Sequence, residues 1–453
     1  MTIRTGQALV SLGPQLSSAV MSHPAQRASF GCIAGLVDDL RACEQPGDFY
    51  EFQRRLFGHL YQVEERRGQC SRMIKRLRRG RVAPQDAPPP PHSGDPGMAE
   101  SWELEAYVYG RVARQLRMVG DGLAWRCFGY DRRVILTLCR NASPGPMYGK
   151  EGLPYELGRI HELWENDGHF ALHHDLTNCL RIADLTEFDE SGMWLREIKR
   201  KPHTVKGQVD RAQAAVDALM RGGDLPGPRR GARLIQLTEP YVTNLAQLGE
   251  LIQTAKNRGC AGTALSQGRA LMVSSLPACL QRWGADHAEQ GRVRAATRQQ
   301  VIVQAGIGMA LHHIRGVSAD TAARSAIMAP WSIYPFSPEE CAALICDLLI
   351  FETIVSGESL VTSIEQAGLR GELLLTPMDV QVGDAMDVLR AYWRERAITW
   401  HAHSLGPVLY ELVEPETLAR GTREALQSGS PPTEPVMVYT GEAQTWLPGL
   451  TSG

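Results

Sequence analysis

Two acidic residues and a lysine occupy positions where core residues are expected. In "IADLTEFDESGMWLREIKRK", residues 182–201, Asp184 and Glu197 lie in two apolar runs separated by a polar, glycine-containing turn, and Lys199 follows. Burying an ionised carboxylate or ammonium group is costly unless the group is paired or binds a metal. These three residues are therefore the first candidates for chemistry.

The two runs predict an antiparallel hairpin, and its register decides where the acids point. With a turn of Glu190 and Ser191, or of residues 189–192, Asp184 lies directly opposite Glu197. Directly opposed side chains share one face with Cβ atoms about 4.5 to 5.5 Å apart, and Lys199 shares that face. A three- or five-residue turn would place the acids on opposite faces.

Two carboxylates at this separation need a cation between them. Oxygen ligands from Asp184 and Glu197 favour Mg²⁺ or Mn²⁺, and the backbone carbonyl of Ile198 could add a further oxygen ligand. Lys199 would lie beside a metal-bound water, where it could orient the nucleophile and offset negative charge in the transition state. The pattern predicts metal-assisted phosphodiester hydrolysis.

The same residues resemble the PD-(D/E)XK nuclease superfamily. The resemblance rests on Asp184 after the apolar "LRIA", on "EIK" at 197–199, and on a following helix that contains Gln208. It implies a restriction-endonuclease-like core within residues 98–280, with a mixed sheet flanked by helices, metal bound by Asp184 and Glu197, and a catalytic Lys199. Ala183 stands where the family has proline. The family's further acid could be any of Glu103, Glu105, Glu156 and Glu162.

Simpler interpretations exist for each candidate. Asp184, Glu197 and Lys199 could form an ordinary surface salt bridge on a sheet. In "HHDLTN", residues 173–178, the two histidines could reach the site and Asp175 or Asn178 could shape its rim, but a histidine pair is more often structural, so these residues are left out of the catalytic set. The basic run after the motif could be a solvated strand end; in the functional interpretation it contacts nucleic acid. The residues assigned to that contact are Arg200, Lys201, Lys206 and Gln208.

Composition and charge restrict the class of protein. The chain has 453 residues, 43% hydrophobic and 22% charged, with a formal net charge of -2. This is typical of a globular protein, so any nucleic-acid affinity must come from local basic patches. The ten cysteines include no C-x-x-C pair, which predicts free thiols. No apolar run is long enough to span a membrane and no signal peptide is evident, so we expect a cytoplasmic protein.

Proline-rich residues 83–97 predict an extended linker and the main domain boundary. Before it lies a helical, basic N-terminal region, residues 1–82, whose Arg-rich segment 66–81 could be a nucleic-acid arm or a solvated helix face. After it, residues 98–280 predict an α/β core with a mixed sheet, in the order helix, strands, helix, strand, helix, strands. Residues 281–453 predict a mainly helical domain, because "SPEECAALICDLLIFETIVSG" and "VGDAMDVLRAYWRERAITW" have a helical period.

Together these features predict a metal-dependent nuclease that acts on DNA, with RNA as an open alternative. A role in nucleic-acid defence follows by analogy only. The C-terminal region would serve a homodimer or a partner protein. Two other functions stay open: a catalytically inactive nucleic-acid-binding module on the same fold, and a phosphohydrolase of small phosphate esters.

Overall fold

The computed structural model describes most of the chain and two compact units within it. One unit consists of residues 1–129, 134–228 and 330–346, and the other of residues 130–133, 229–329 and 347–453. The limits of these two units do not coincide with the predicted domain boundaries at residues 83–97 and 280. The described residues are 14–83, 86, 98–139, 144–190, 192–198, 210, 214–216, 233–237, 242–284, 286–307, 313–319, 328–375, 379–381, 386–427 and 436–440.

The fold is mixed α/β. Its described helices are α1 (Pro14–Ser22), α2 (Pro24–Ala42), α3 (Pro46–Arg78), α4 (Ala99–Cys127), α5 (Arg132–Leu138), α6 (Leu153–Asp167), α7 (Leu245–Arg258), α8 (Leu276–Trp283), α9 (His287–Gln304), α10 (Pro338–Ile345), α11 (Gly357–Gln366), α12 (Gly406–Tyr410) and α13 (Pro415–Gln427). Its described strands are β1 (Ala171–His173), β2 (Leu185–Asp189), β3 (Gly192–Arg196), β4 (Arg233–Leu237), β5 (Cys260–Ser266), β6 (Arg269–Ser275), β7 (His313–Val317), β8 (Leu349–Ser356), β9 (Arg370–Leu373), β10 (Asp379–Gln381), β11 (Asp387–Trp393), β12 (Arg396–His401) and β13 (Val436–Thr440).

The first unit is built mainly of helices around one small sheet. The predicted helical N-terminal region is confirmed by α1 to α3, and α3 packs along α4. Strands β1, β2 and β3 form an antiparallel sheet in that order. Among the described residues of this unit the sheet therefore has no parallel pair, and the later strands of the predicted core 98–280 belong to the second unit.

Helix α4 contains a glycine well inside its length. It begins at Ala99 and continues through Gly120 to Cys127. Gly120 is retained inside the helix because the backbone of a neighbouring turn comes very close: a Cβ atom there would lie 1.9 Å from the carbonyl oxygen of Leu176. The glycine marks a packing contact, not a helix end.

The second unit contains three sheets. Strands β10, β7, β8, β6 and β5 form a five-stranded sheet that is antiparallel except for the parallel pair β10 and β7. Strands β12, β11 and β9 form an antiparallel sheet, and β13 pairs with β4 in parallel. The β5–β6 hairpin turns at Gln267 and Gly268, as predicted.

The prediction that residues 281–453 are mainly helical is wrong for two segments. The helical period is confirmed for α10, which Ser337 caps, but residues 349–356 form β8, a strand buried along its whole length. A strand buried on both faces is continuously apolar, so its sequence does not alternate. Residues 387–401 form the β11–β12 hairpin, where aromatic and β-branched residues favour strands.

Two smaller predictions concern the cysteines and the membrane. All ten cysteines are free thiols. Within the described ranges, none of the helices combines the length and the apolar composition that crossing a membrane requires.

Candidate functional site

The hairpin that carries the motif has the predicted register. Phe188 pairs with Met193 and Asp189 with Gly192, so the turn contains two residues. The paired ladder ends at Leu185 and Arg196. Asp184 and Glu197 are the next residues on the two sides of the hairpin. Their backbones are still held together here, because the Asp184 N–H donates a hydrogen bond of 2.9 Å to the Arg196 carbonyl.

Asp184 is held from both sides of β2 and points its carboxylate at two different groups. Its carbonyl accepts a hydrogen bond of 3.0 Å from the His174 N–H. Its Oδ2 accepts one of 2.8 Å from the Ile198 N–H, and its Oδ1 lies 3.5 Å from the Lys150 Nζ. Ile198 thus contacts Asp184 through its N–H group and not through its carbonyl oxygen. Metal binding by that carbonyl stays a prediction.

Lys150 joins carboxylates from three separate segments. Its ammonium group lies 2.9 Å from Glu156 of α6, 2.7 Å from Asp175 and 3.5 Å from Asp184. Glu156 in turn lies 3.0 Å from the Nε2 of His173, at the end of β1. The side chains of Glu156 and His173 are 1% exposed, whereas that of Lys150 is 28% exposed. The group therefore extends from the interior to the surface.

Of the four acids that the resemblance left open, Glu156 is the one that lies in the Lys150 cluster. Glu103 pairs with Arg78, Glu105 with His23, and Glu162 with Arg159. Glu156 is the member of this set that reaches Lys150 and influences Asp184. Among the four candidates it is therefore the one that joins the motif.

The cluster has a donor set that suits a divalent metal. One ligand atom from each of Glu156, His173 and Asp175 can be chosen so that all three lie within 4.8 Å of one another. Two carboxylate oxygens and an imidazole nitrogen favour Mn²⁺ or another first-row ion over Mg²⁺, which prefers oxygen ligands alone. Lys150 holds the same carboxylates, so a metal would compete with its ammonium group.

The pKa values of the acids are pushed apart. Burial raises the pKa of Asp184, and the charges of Glu156 and Glu197 add to this rise although the Ile198 N–H and Lys150 oppose it. Burial also acts to raise the pKa of Glu156, but hydrogen bonds from His173 and Lys150 outweigh it and the pKa is lowered. The pKa of Asp175 is lowered in the same way, against its burial, by the charges of His173 and Lys150.

Lys150 is fixed in its cationic form. Burial alone would lower its pKa, but the charge of Asp175 and the hydrogen bonds to Asp175 and Glu156 raise the pKa above its usual value. An ammonium group of this kind can neutralise charge but cannot accept a proton near neutral pH.

The loop that carries Lys150 is anchored on α3 by Glu64. The buried Glu64 carboxylate accepts hydrogen bonds from the N–H groups of Met147, at 2.5 Å, and Tyr148, at 3.3 Å. It also pairs with Arg117 of α4 at 2.5 Å. The position of the ammonium group is thus set by a buried ion pair between two helices.

The turn between β1 and β2 is positioned by α4. Asp121 accepts hydrogen bonds from the N–H groups of Asn178 and Cys179 and from the Asn178 side chain. His174 donates or accepts a 2.7 Å hydrogen bond with Thr186, and burial lowers its pKa to about 3. His174 is therefore a neutral packing residue, consistent with the structural interpretation, whereas its neighbour His173 belongs to the carboxylate cluster.

Ala183, where the resemblance would place a proline, has an unusual backbone conformation. Its φ is +69°, in the left-handed region. The proline ring fixes φ at about -65°, so proline could not adopt this backbone. Proline is therefore excluded at the position immediately before Asp184.

Several predicted residues lie outside the described residues. These are the catalytic Lys199 and the nucleic-acid-binding residues Arg200, Lys201, Lys206 and Gln208. Conversely, Lys150 was missed, and His173 and Asp175 were left out of the catalytic set. The signal for two of them was present, because "HHDLTN" directly precedes the motif strand. No protein-family model, curated protein or solved structure matches the chain.

Proposed function

We propose that the chain is a metal-dependent nuclease that hydrolyses phosphodiester bonds, with DNA as its expected substrate. The observation that carries this proposal is the convergence of Glu156, Asp175 and Asp184 on one cation, Lys150. Three carboxylates from separate segments, with Glu197 beside Asp184, form a strongly negative group that a divalent ion would stabilise. The PD-(D/E)XK resemblance supports the same activity and stays a hypothesis.

Each residue has a distinct part in the proposed reaction. Glu156, His173, Asp175 and Asp184 would hold the ion, which supplies charge stabilisation and activates water when bound. Lys150 stays protonated and, at the exposed side of the cluster, would offset the negative charge of the phosphate. Lys199 remains the proposed catalytic lysine on the strength of the motif.

A second function is favoured by one specific contact. Because Lys150 already neutralises the carboxylates, the cluster is stable without any metal, as expected of a nuclease fold that has become a nucleic-acid-binding module without turnover. Cleavage assays separate the two functions.

The test is cleavage of plasmid, linear duplex DNA and RNA by the full-length protein with Mg²⁺ or Mn²⁺. Asp184→Asn and Glu156→Gln should each reduce cleavage at least about 100-fold, since each removes charge stabilisation from the transition state. The matched control is Glu165→Gln on the exposed side of α6, which should cleave normally. Wild-type cleavage that survives in Asp184→Asn contradicts the site, and nucleic-acid binding without cleavage under any metal supports the second function.

A further inference from the structure

The basic end of α3 has one face that is free of acidic residues. Residues 66–81 contain eight Lys or Arg and no Asp or Glu. Arg72, Lys75, Arg76 and Arg79 follow the spacing i, i+3, i+4, i+7, so they share one side of the helix. All four are exposed, and within the described residues none of the four forms an ion pair. Such a face has a strong local positive potential on a chain whose net charge is -2.

This face is continuous with the side of α3 that contacts the candidate site. Gln53 donates a hydrogen bond of 2.9 Å to the carbonyl of Ala171 in β1, and the Phe57 ring lies 6.4 Å from the His173 ring. Further along the same side, the ring of Tyr61 lies 5.7 Å from that of Tyr148. Helix α3 therefore passes the cluster with its middle part, and its exposed basic residues follow at its C-terminal end.

Tyr148 links the basic face to Lys150. The Arg72 guanidinium lies 5.4 Å from the centre of the Tyr148 ring and donates a hydrogen bond of 3.4 Å to its hydroxyl. Tyr148 is half-buried and precedes Lys150 by two residues, in the loop that Glu64 anchors. One short loop thus connects the cationic surface with the carboxylate cluster.

We propose that the face formed by Arg72, Lys75, Arg76 and Arg79 binds the sugar–phosphate backbone of a nucleic acid and directs the strand over Tyr148 to the carboxylate cluster. The face from Arg72 to Arg79 is about 10 Å long at 1.5 Å per residue, which matches about three base-pair steps of duplex. Arginine and lysine without base-reading partners contact phosphates, so binding is independent of sequence. This inference deepens the proposed function, on which the direction of the strand rests.

The test measures binding separately from cleavage. Labelled duplex DNA, single-stranded DNA and RNA are titrated with the full-length protein in EDTA, and fluorescence anisotropy is recorded over a range of salt concentrations. The variant Lys75→Gln/Arg76→Gln/Arg79→Gln keeps Arg72, because Arg72 packs on Tyr148. For duplex DNA it should bind at least about tenfold more weakly, and the slope of log K against log salt should fall by about 3.

Arg54→Gln/Arg55→Gln is the matched control on the same helix. Both arginines are exposed but already paired with Glu51 and Asp39, so the affinity and the salt slope should stay at the wild-type values. The unfolding midpoints of both variants should equal that of the wild type. An unchanged salt slope in the triple variant, or no wild-type binding to any of the three nucleic acids at low salt, overturns the proposal.

Hydrolysis of a small chromogenic phosphodiester distinguishes the two proposals. The triple variant should hydrolyse it as fast as the wild type, whereas Asp184→Asn should bind duplex DNA normally and hydrolyse neither substrate. If neither the wild type nor the variants hydrolyse any diester, the nuclease proposal fails. The binding data then still test whether the basic face binds nucleic acid.

Discussion

At the scale of single residues, Lys150 determines the charge balance of the cluster. Three carboxylates surround its ammonium group, and its side chain is only 28% exposed to solvent. Removing one partner from a largely buried ion pair is more costly than the pair is stabilising, because the remaining charges are left without compensation. The lysine therefore supplies the positive charge that these carboxylates need.

Lys150→Gln should separate stability from metal binding. In EDTA the free energy of unfolding should fall by about 3 kcal/mol, since the carboxylates lose their cation. Added Mn²⁺ should then stabilise the variant more than the wild type, because the ion no longer competes with an ammonium group. Denaturant unfolding with and without Mn²⁺ measures both effects. Equal Mn²⁺ stabilisation of the two proteins would show that the carboxylates do not bind the ion, and Lys75→Gln serves as the surface control.

Glu187 should make the hairpin sensitive to acid. Burial acts to raise its pKa, but hydrogen bonds from Arg159, at 3.0 Å, and Arg196, at 3.0 Å, outweigh this and hold the pKa below its usual value. The ionised group therefore stabilises the fold at neutral pH, and this contribution is lost as the pH falls through the folded-state pKa.

Glu187→Gln should lower the free energy of unfolding at neutral pH by about 1 to 2 kcal/mol, allowing for solvent screening at the exposed Arg196. It should also flatten the acid dependence of stability. Urea titrations at neutral and acidic pH test both effects. If the free energy of unfolding of the variant falls between the two pH values by as much as that of the wild type, this role of Glu187 is contradicted.

At the scale of elements, helix α4 positions the turn between β1 and β2. The carbonyl of Leu176 occupies the space where a side chain at position 120 would lie. Gly120→Ala should therefore destabilise the protein by about 1 to 3 kcal/mol through overpacking, although alanine is the better helix former. The matched control is Gly158→Ala on the exposed side of α6, where no atom lies within 4 Å. It should stabilise the protein by up to about 1 kcal/mol. Chemical denaturation of both variants measures the difference, and equal effects would contradict the close packing.

The hairpin could be predicted because its register depends on local features. Alternation along two short strands and a two-residue turn determine which residues oppose one another, and both are visible in the sequence. The sequence could narrow the further acid only to four candidates, because the approach of Glu156 to Lys150 depends on how α6 packs in the folded unit. Lys150 could not be predicted, since its loop is held in place by Glu64, far away in sequence.

Burial explains the errors elsewhere. The strand β8 was mistaken for a continuation of α10 because both are apolar, and a central strand covered on two faces lacks the alternation that identifies strands. The positive φ of Ala183 also leaves no mark on the sequence, since alanine seldom adopts it.

At the scale of the whole molecule, the unit that carries the site is completed by a distant segment. Residues 330–346 belong with 1–129 and 134–228. Within this unit, Trp331 is fully buried, Arg41 of α2 donates a 2.7 Å hydrogen bond to the Tyr334 carbonyl, and Ser332 donates one of 2.9 Å to the Met118 carbonyl. Neither the predicted core 98–280 nor any fragment that ends near residue 228 contains this segment.

A fragment of residues 1–228 should therefore lack cooperative unfolding and bind a hydrophobic dye, because the surface under Trp331 and Tyr334 is exposed. Joining residues 330–346 to it through a flexible linker should restore a cooperative transition and near-ultraviolet circular dichroism. A cooperative transition in the shorter fragment would show that the segment contributes little to this unit.

The Glu64 anchor has a consequence for how often the site loop opens. Moving the loop away from α3 would strip the buried carboxylate of the two N–H groups of Met147 and Tyr148 while Arg117 stays behind. If that disruption costs about 3 kcal/mol, as breaking a buried charged contact does, fewer than about one molecule in a hundred has the loop open at any moment. The loop that carries Lys150 is thus closed almost all the time. A ligand that binds at the cluster would therefore need to supply little of its binding free energy to order this loop.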